Sequence, residues 1–126
     1  MKILNTLLLS FLLYSTLAFA STVDLKPNDS APTFDLKTHE GKDFSLESRR
    51  GKWTVLYFYP RAETPGCTKQ ACSFRDNIKK IRDLGADVFG ISTDNVKNQA
   101  AFHENHKLNF ILLADDKAEV VKKYGS

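Results

Sequence analysis

The chain is poor in cysteine, in histidine and in charge imbalance, and each shortage removes a class of protein. It has 126 residues with two cysteines, three histidines, one tryptophan and one methionine. Two cysteines cannot build the multiply cross-linked scaffold of a small secreted domain. Two thiolates alone do not complete a tetrahedral metal site. The 18 basic residues exceed the 15 acidic ones by three, with no dense Lys/Arg run of the kind that grips nucleic acid or an anionic surface. Internal repeats and low-complexity tracts are absent, and no apolar run reaches the ~20 residues needed to span a bilayer. What remains is a 42% hydrophobic chain, long enough for one small globular domain.

The nearest approach to a membrane segment is at the N-terminus. "MKILNTLLLSFLLYSTLAFA" (1–20) has an early Lys2, an apolar stretch over 7–13 and a closing Ala18-Phe19-Ala20. Polar Asn5, Thr6, Ser10, Ser15 and Thr16 interrupt it. This is the three-part shape of a secretory signal peptide removed after Ala20, with a transmembrane anchor as the alternative. The expectation is an exported, periplasmic protein with no stable membrane anchor, or a cytoplasmic one if the leader is not a signal. Export would bring both thiols into an oxidising compartment.

Beyond the leader, "STVDLKPNDSA" (21–31) is polar and reads as an extended arm, with a domain proper over 31–126. "PTFDLKTHEGKDFSLES" alternates on both sides of "HEGK", a hairpin signal with Gly41 in the turn. "KWTVLYFY" (52–59) is apolar on both faces and predicts a central buried strand. From Cys67 the apolar residues Ala71, Phe74, Ile78 and Ile81 follow at helical spacing, and Leu84-Gly85 closes the helix. "ADVFGIS" (86–92) predicts a strand, and "TDNVKNQAAFHENHKL" a helix capped at Thr93/Asp94. "NFILLAD" (109–115) predicts another strand, and "DKAEVVKKYG" a short helix ending at Gly125. A hairpin followed by β-α-β-α-β-α makes an α/β layer with parallel strands. Sites in such sheets lie beyond the carboxyl ends of the strands.

Both cysteines fall at the first strand-to-helix junction, in "YPRAETPGCTKQACSFRD" (59–76). Cys67 follows Thr64-Pro65-Gly66, where the helix begins, so unpaired backbone N–H groups and the positive end of the helix dipole face it. A thiolate is favoured over a thiol there, and the thiolate is the reactive form. Cys72 lies five residues on. In an intact helix that spacing puts the Cα atoms roughly 8–9 Å apart, whereas a disulfide tolerates about 7 Å. The pair can close only if the start of the helix unwinds. A redox couple that forms and breaks suits this place, while a static disulfide remains the alternative. A metal site would have to recruit His103 and His106 from the polar stretch "HENHK", whose residues read as solvated. In the redox reading, a peroxide converts the activated thiolate to a sulfenic acid, and a second thiol within reach condenses with it. Thr64 can place its hydroxyl beside the sulfur.

At these residues the chain resembles a known family. "PRAETPGCTKQAC" resembles the peroxiredoxin segment Pro-x-x-x-Thr-x-x-Cys, filled here by Pro60, Thr64 and Cys67. The second cysteine five residues on is similar to that of the bacterioferritin comigratory (Q-type) subfamily. The likeness extends through "APTFDL", "GKWTVLYFYP", "FRDN", "GADVFGIST" and "LLAD", roughly 31–125. The resemblance implies a thioredoxin-like fold with an added N-terminal hairpin. It implies reduction of hydrogen peroxide and organic hydroperoxides without metal or organic cofactor. Cys67 would be the peroxidatic cysteine and Cys72 the resolving one; Thr64 would position peroxide, and Pro60 would shield the sulfur from water. A thioredoxin-like protein would restore the thiols by exchange, and a monomer would suffice.

The pattern departs from the family in one respect. The family continues after "KKYG" with a strand, a turn, another strand and a helix, whereas this sequence stops at Ser126. The resemblance places an active-site arginine on the first of those strands. None of Arg49, Arg50, Arg61, Arg75 or Arg82 occupies that place. The expectation is therefore a thioredoxin-like domain without its C-terminal strands and helix, with 52–59 as an exposed edge and weak peroxidase activity. Two other functions stay open: a thioredoxin-type disulfide-exchange protein, although its usual signature is Cys-x-x-Cys, and an inactive remnant with a static disulfide.

Overall fold

The computed structural model of the chain describes residues 23–126; the expected signal peptide, 1–20, and the first residues of the arm lie outside them. From Val23 to Phe34 the backbone forms neither helix nor strand and makes one turn, closed by Asp29 N–H on the Lys26 carbonyl (3.0 Å). The hairpin follows as β1 (Asp35–Thr38) and β2 (Asp43–Ser45). Gly41 takes φ +76° in its turn, which Thr38 N–H closes on the Lys42 carbonyl at 2.8 Å. A single 3-10 turn (Leu46–Arg49) leads to β3 (Trp53–Phe58), α1 (Pro65–Asp83) and β4 (Ala86–Ser92). Then come α2 (Val96–Asn105), β5 (Ile111–Ala114) and α3 (Glu119–Lys123).

The strands form one sheet in the order β2-β1-β5-β4-β3. β3, β4 and β5 run parallel, and β1 joins β5 and β2 in antiparallel pairing. Because successive parallel strands are laid down in one direction, right-handed crossovers put α1 and α2 on the same face. That face holds Val88, Leu112, Phe102, Ala71 and Ile78, with Tyr57 and Tyr59 between sheet and helices. The opposite face packs Phe89, Ile91 and Leu113 against Phe34, Phe44 and Val120 of α3. Each such fully buried side chain contributes about 1.5–3 kcal/mol.

The expected hairpin, strand and helix order stands, with three adjustments. Among the described residues the strand over 52–59 is an edge, as the departure from the family pattern leads us to expect, and not the central strand its apolar faces suggest; its Trp53 is 79% exposed. The strand buried on both faces is β4 instead, whose Val88 through Ser92 are all buried. α2 is capped not by Thr93/Asp94 but by Asn95, whose Oδ1 accepts from Asn98 N–H at 2.8 Å. α3 starts later than expected, after Ala118 turns the backbone to φ 55°. The close of α1 is as read: Leu84 caps it, and Gly85, at φ +80°, donates to the Arg82 carbonyl at 2.9 Å. No helix among the described residues is long and apolar enough to cross a membrane.

Candidate active site

The junction between β3 and α1 is built from a short loop pinned on several sides. Tyr59 extends the strand pairing, its N–H donating to the Ile91 carbonyl at 3.0 Å. Its buried hydroxyl donates to Gln99 Oε1 at 2.5 Å, and Gln99 Nε2 donates onward to the Leu113 carbonyl at 2.8 Å. Pro60 is exposed at the turn away from the sheet. Ala62 N–H donates to Asp94 Oδ2 at 2.7 Å, the same oxygen that takes the Ser92 hydroxyl at 2.7 Å. Asp94 therefore ties the loop to the end of β4 rather than capping α2. Glu63, in the left-handed region at φ 65°, reaches the far end of α2: its carboxylate lies 2.9 Å from Asn105 Nδ2 and 2.8 Å from His106 Nε2. The hydrogen bonds from His106 and Asn105 hold that carboxyl below its usual range.

The helix begins two residues earlier than the apolar spacing suggests. Thr64 is the N-cap and Pro65 the first helical residue, so Cys67 is third in the helix. Pro65 has no N–H to leave unpaired. The first intrahelical bond runs from Thr68 N–H to the Thr64 carbonyl at 2.9 Å, which leaves the N–H groups of Gly66 and Cys67 ahead of it. The half-buried Thr64 side chain caps nothing; its hydroxyl donates to the Arg61 carbonyl at 3.0 Å. Cys67 is buried and Cys72 half-buried, and both are free thiols. α1 runs unbroken through both positions, so the two sulfurs cannot bond in this conformation. The structure thus gathers Pro60, Thr64 and Cys67 at one junction and places Cys72 one and a half turns along the same helix.

Two tyrosines lie beneath α1. Tyr57 stacks on Phe74 (centroids 4.6 Å) and on Tyr59 (5.4 Å). Burial, then the charges of Tyr59, Cys67 and Cys72, push its hydroxyl far above the usual phenol range. Burial likewise raises Tyr59. Both stay neutral: Tyr57 acts as a packing group and Tyr59 as a packing and hydrogen-bonding group, neither as a base. Glu63 and Gln99 escaped sequence reasoning, and Asp94 and His106 entered it only as a helix cap and as a solvated residue weighed as a metal ligand. Asp94, Gln99 and His106 reach the junction from 32 to 43 residues away, whereas Glu63 stands within it, just before the Thr-Pro-Gly-Cys run.

Four of the chain's arginines are held by partners other than the cysteines. Arg49 contacts Thr54 and the Trp53 carbonyl, and Arg50 pairs with Glu47. Arg75 pairs with Asp76 and donates to the His106 carbonyl, and Arg82 contacts Asp87 and the Asn109 carbonyl. Of the histidines weighed as metal ligands, His103 stacks on His39 and His106 faces Glu63. Among the described residues no group of three His, Cys, Asp or Glu side chains could hold a metal ion.

Comparison with known proteins gives the family and the fold. Residues 27–126 match the AhpC/TSA family. A chloroplastic peroxiredoxin Q of Triticum aestivum is 50% identical over 94 residues, which is 75% of this chain and 43% of the wheat protein. Peroxiredoxin Bcp of Escherichia coli K12 is 44% identical over 101 residues, 80% of this chain and 65% of the relative. The chain thus spans about half to two thirds of the length of these curated relatives. Among solved structures, peroxidoxin BcpB of Mycobacterium tuberculosis superposes with a TM-score of 0.74 at 40% identity, covering 77% of this chain and 64% of the other. Xanthomonas campestris peroxiredoxin Q superposes at 0.71 with 30% identity, covering 72% and 58%. The fold is thioredoxin-like.

Proposed function

The chain belongs to the AhpC/TSA family, and from that premise we propose that it is a thiol peroxidase that reduces hydrogen peroxide and organic hydroperoxides. The observation that carries the reading is the placement of Cys67: a buried free thiol in the first turn of α1, three residues after the Thr64 cap, with a second free thiol on the same helix. The Cys67 thiolate attacks the distal peroxide oxygen. An S–O bond forms, the O–O bond breaks, and the alkoxide or hydroxide leaves and takes up a proton. The Thr64 hydroxyl turns from the Arg61 carbonyl to the peroxide, and the N–H groups ahead of the first intrahelical bond favour negative charge on sulfur and oxygen. Pro60 screens the sulfur from bulk water.

The first turns of α1 then unwind. The Cys72 thiolate attacks the sulfenic sulfur, an S–S bond forms, and the oxygen leaves as water. A thioredoxin-like dithiol reduces the Cys67–Cys72 disulfide by exchange and is itself oxidised. Because both sulfurs lie on one helix, resolution needs no second copy, and we take the working form to be a monomer. On the shape of residues 1–20 we place this chemistry outside the cytoplasm; cell fractionation of the tagged protein tests that.

The decisive experiment treats a Cys72→Ser chain with one equivalent of peroxide. A single oxygen on Cys67 by mass spectrometry is the expected result. If Cys67 takes up no oxygen, the peroxidase reading falls and the disulfide-exchange or inactive alternative takes its place.

A further inference from the structure

One residue of α2's end holds both sides of the stretch that carries the two cysteines. The imidazole Nε2 of His106 lies 2.8 Å from Oε2 of Glu63, immediately before the α1 cap. The backbone carbonyl of His106 accepts a hydrogen bond of 2.6 Å from Nη1 of Arg75, three residues past Cys72. We infer that His106 is a positioning residue that fixes both flanks of the Thr64–Phe74 segment and so governs how readily that segment unwinds to let Cys72 meet Cys67.

The geometry requires such a device if the chain works as proposed above. Forming the disulfide needs the two Cα atoms to move from roughly 8–9 Å to within about 7 Å, which the wound helix forbids. Unwinding has a cost in backbone hydrogen bonds, and its extent is set by where the chain is anchored. Here the anchors are Glu63 on one side and Arg75 on the other, and both meet at residue 106. The anchor point is itself firm. The His106 ring packs edge-on against Phe102 (centroids 5.3 Å), which is wholly buried, and His106 N–H donates to the Phe102 carbonyl at 3.3 Å. Each anchor is doubled by a neighbouring amide: Asn105 Nδ2 donates to Glu63 at 2.9 Å, and Asn109 Nδ2 to the Arg75 carbonyl at 3.2 Å. With residues 63 and 75 held, the rearrangement is confined to the turns between them, and the helix rewinds against fixed ends once the disulfide is reduced.

Releasing one end should make closure easier. The Glu63–His106 pair is partly exposed, so its loss shifts the wound–unwound balance modestly, by roughly two- to fivefold. The test follows disulfide closure without peroxide. The reduced protein is given one equivalent of an aromatic disulfide (dithiobisnitrobenzoate), which forms a mixed disulfide on one cysteine and releases one thionitrobenzoate. Attack by the other cysteine then forms the Cys67–Cys72 bond and expels the second thionitrobenzoate, whose colour reports closure. Glu63→Ala and Arg75→Met should each speed this second release by about two- to fivefold. Glu63→Gln, whose amide oxygen still accepts from Asn105 Nδ2 and whose amide nitrogen can donate to His106 Nε2 in the tautomer that leaves that nitrogen unprotonated, should return it toward the wild-type rate. A second-phase rate unchanged or slowed in both Glu63→Ala and Arg75→Met would overturn the inference, whatever happens to their melting temperatures. The readout does not depend on peroxide, so failure of the peroxidase reading, seen in the Cys72→Ser experiment, is distinguishable from failure of this one.

Discussion

The hydroxyl end of Tyr57 rests on the backbone of Gly90, its paired neighbour on β4: a Cβ at residue 90 would lie 2.8 Å from both Cζ and Oη of Tyr57, and 2.9 Å from Leu112 Cδ2. The ring fills the space a side chain would take, and through its stacking on Phe74 it sets the height of α1 above the sheet. Gly90→Ala must therefore displace the tyrosine or the helix. A loss of about 1–3 kcal/mol in urea unfolding is expected for such overpacking. The displacement should also raise hydrogen exchange in the first turns of α1.

The same ring carries a hydroxyl that is buried and has no hydrogen-bond partner among the described residues, whereas the hydroxyl of Tyr59, two residues on, is bonded to Gln99. One chemical change should thus have opposite effects at the two sites. Tyr57→Phe removes an unsatisfied group and is expected to leave stability unchanged or raise it by up to about 1 kcal/mol. Tyr59→Phe strands the buried Gln99 oxygen and is expected to cost about 1–3 kcal/mol. Parallel denaturation curves of the two variants check the sign.

Asp94 supplies a third contrast, because one of its oxygens serves both Ala62 N–H and the Ser92 hydroxyl. Asp94→Ala frees the loop that delivers Thr64 to the head of α1, and leaves the Ala62 amide without its partner. The expected result is a stability loss of about 1–3 kcal/mol, together with faster amide exchange at Ala62 and a slower reaction of Cys67 with peroxide. Asn95→Ala, which removes the true α2 cap, is expected to cost about 1 kcal/mol and leave Cys67 unaffected.

The contrast between Asp94 and Asn95 shows where sequence reading stops. The elements themselves were legible, because apolar spacing in α1 and the run "ADVFGIS" report local backbone preference and burial. The junction that carries Pro60, Thr64, Cys67 and Cys72 was legible because the four lie in one short stretch of sequence. Sequence alone puts the α2 cap at Thr93/Asp94, but Ala62, a residue far upstream, claims the Asp94 carboxylate with its N–H, and Asn95 caps the helix instead. For a related reason composition alone puts β3 in the middle of the sheet, whereas the resemblance puts it at an edge. Its composition records apolar faces, but which strand stands at the edge depends on pairing, and only β4 contacts β3 among the described strands. His106 looked like a solvated residue of a polar run, since neither Glu63 nor Arg75 is near it in sequence.

The His39–His103 pair gives a pH prediction. The two rings stack at 3.8 Å between centroids and 14° between planes, joining the hairpin turn to α2. His39 Nδ1 also receives the Leu112 N–H at 3.3 Å, which ties the ring to β5. Burial, then the charge of His103, lowers the pKa of His39, and burial lowers that of His103. Glu40 and Lys42 of the hairpin face the pair, and they bind each other at 2.7 Å, so their opposing charges largely offset. A histidine whose folded pKa is depressed binds fewer protons folded than unfolded, so folding stability rises with pH. The contribution is complete above the ordinary value near 6.5 and is lost as the pH falls below it. The carboxyls of Glu40, Glu47 and Glu63 are also held low, but their linkage appears only below about 4.5, outside this window. Urea midpoints measured at pH 7.5, 6.5 and 5.5 should therefore fall toward acid in the wild-type chain. His39→Phe keeps a flat ring against His103 and should flatten the curve. A wild-type midpoint constant from pH 7.5 to 5.5 would show that protonating the stacked pair costs the folded state nothing.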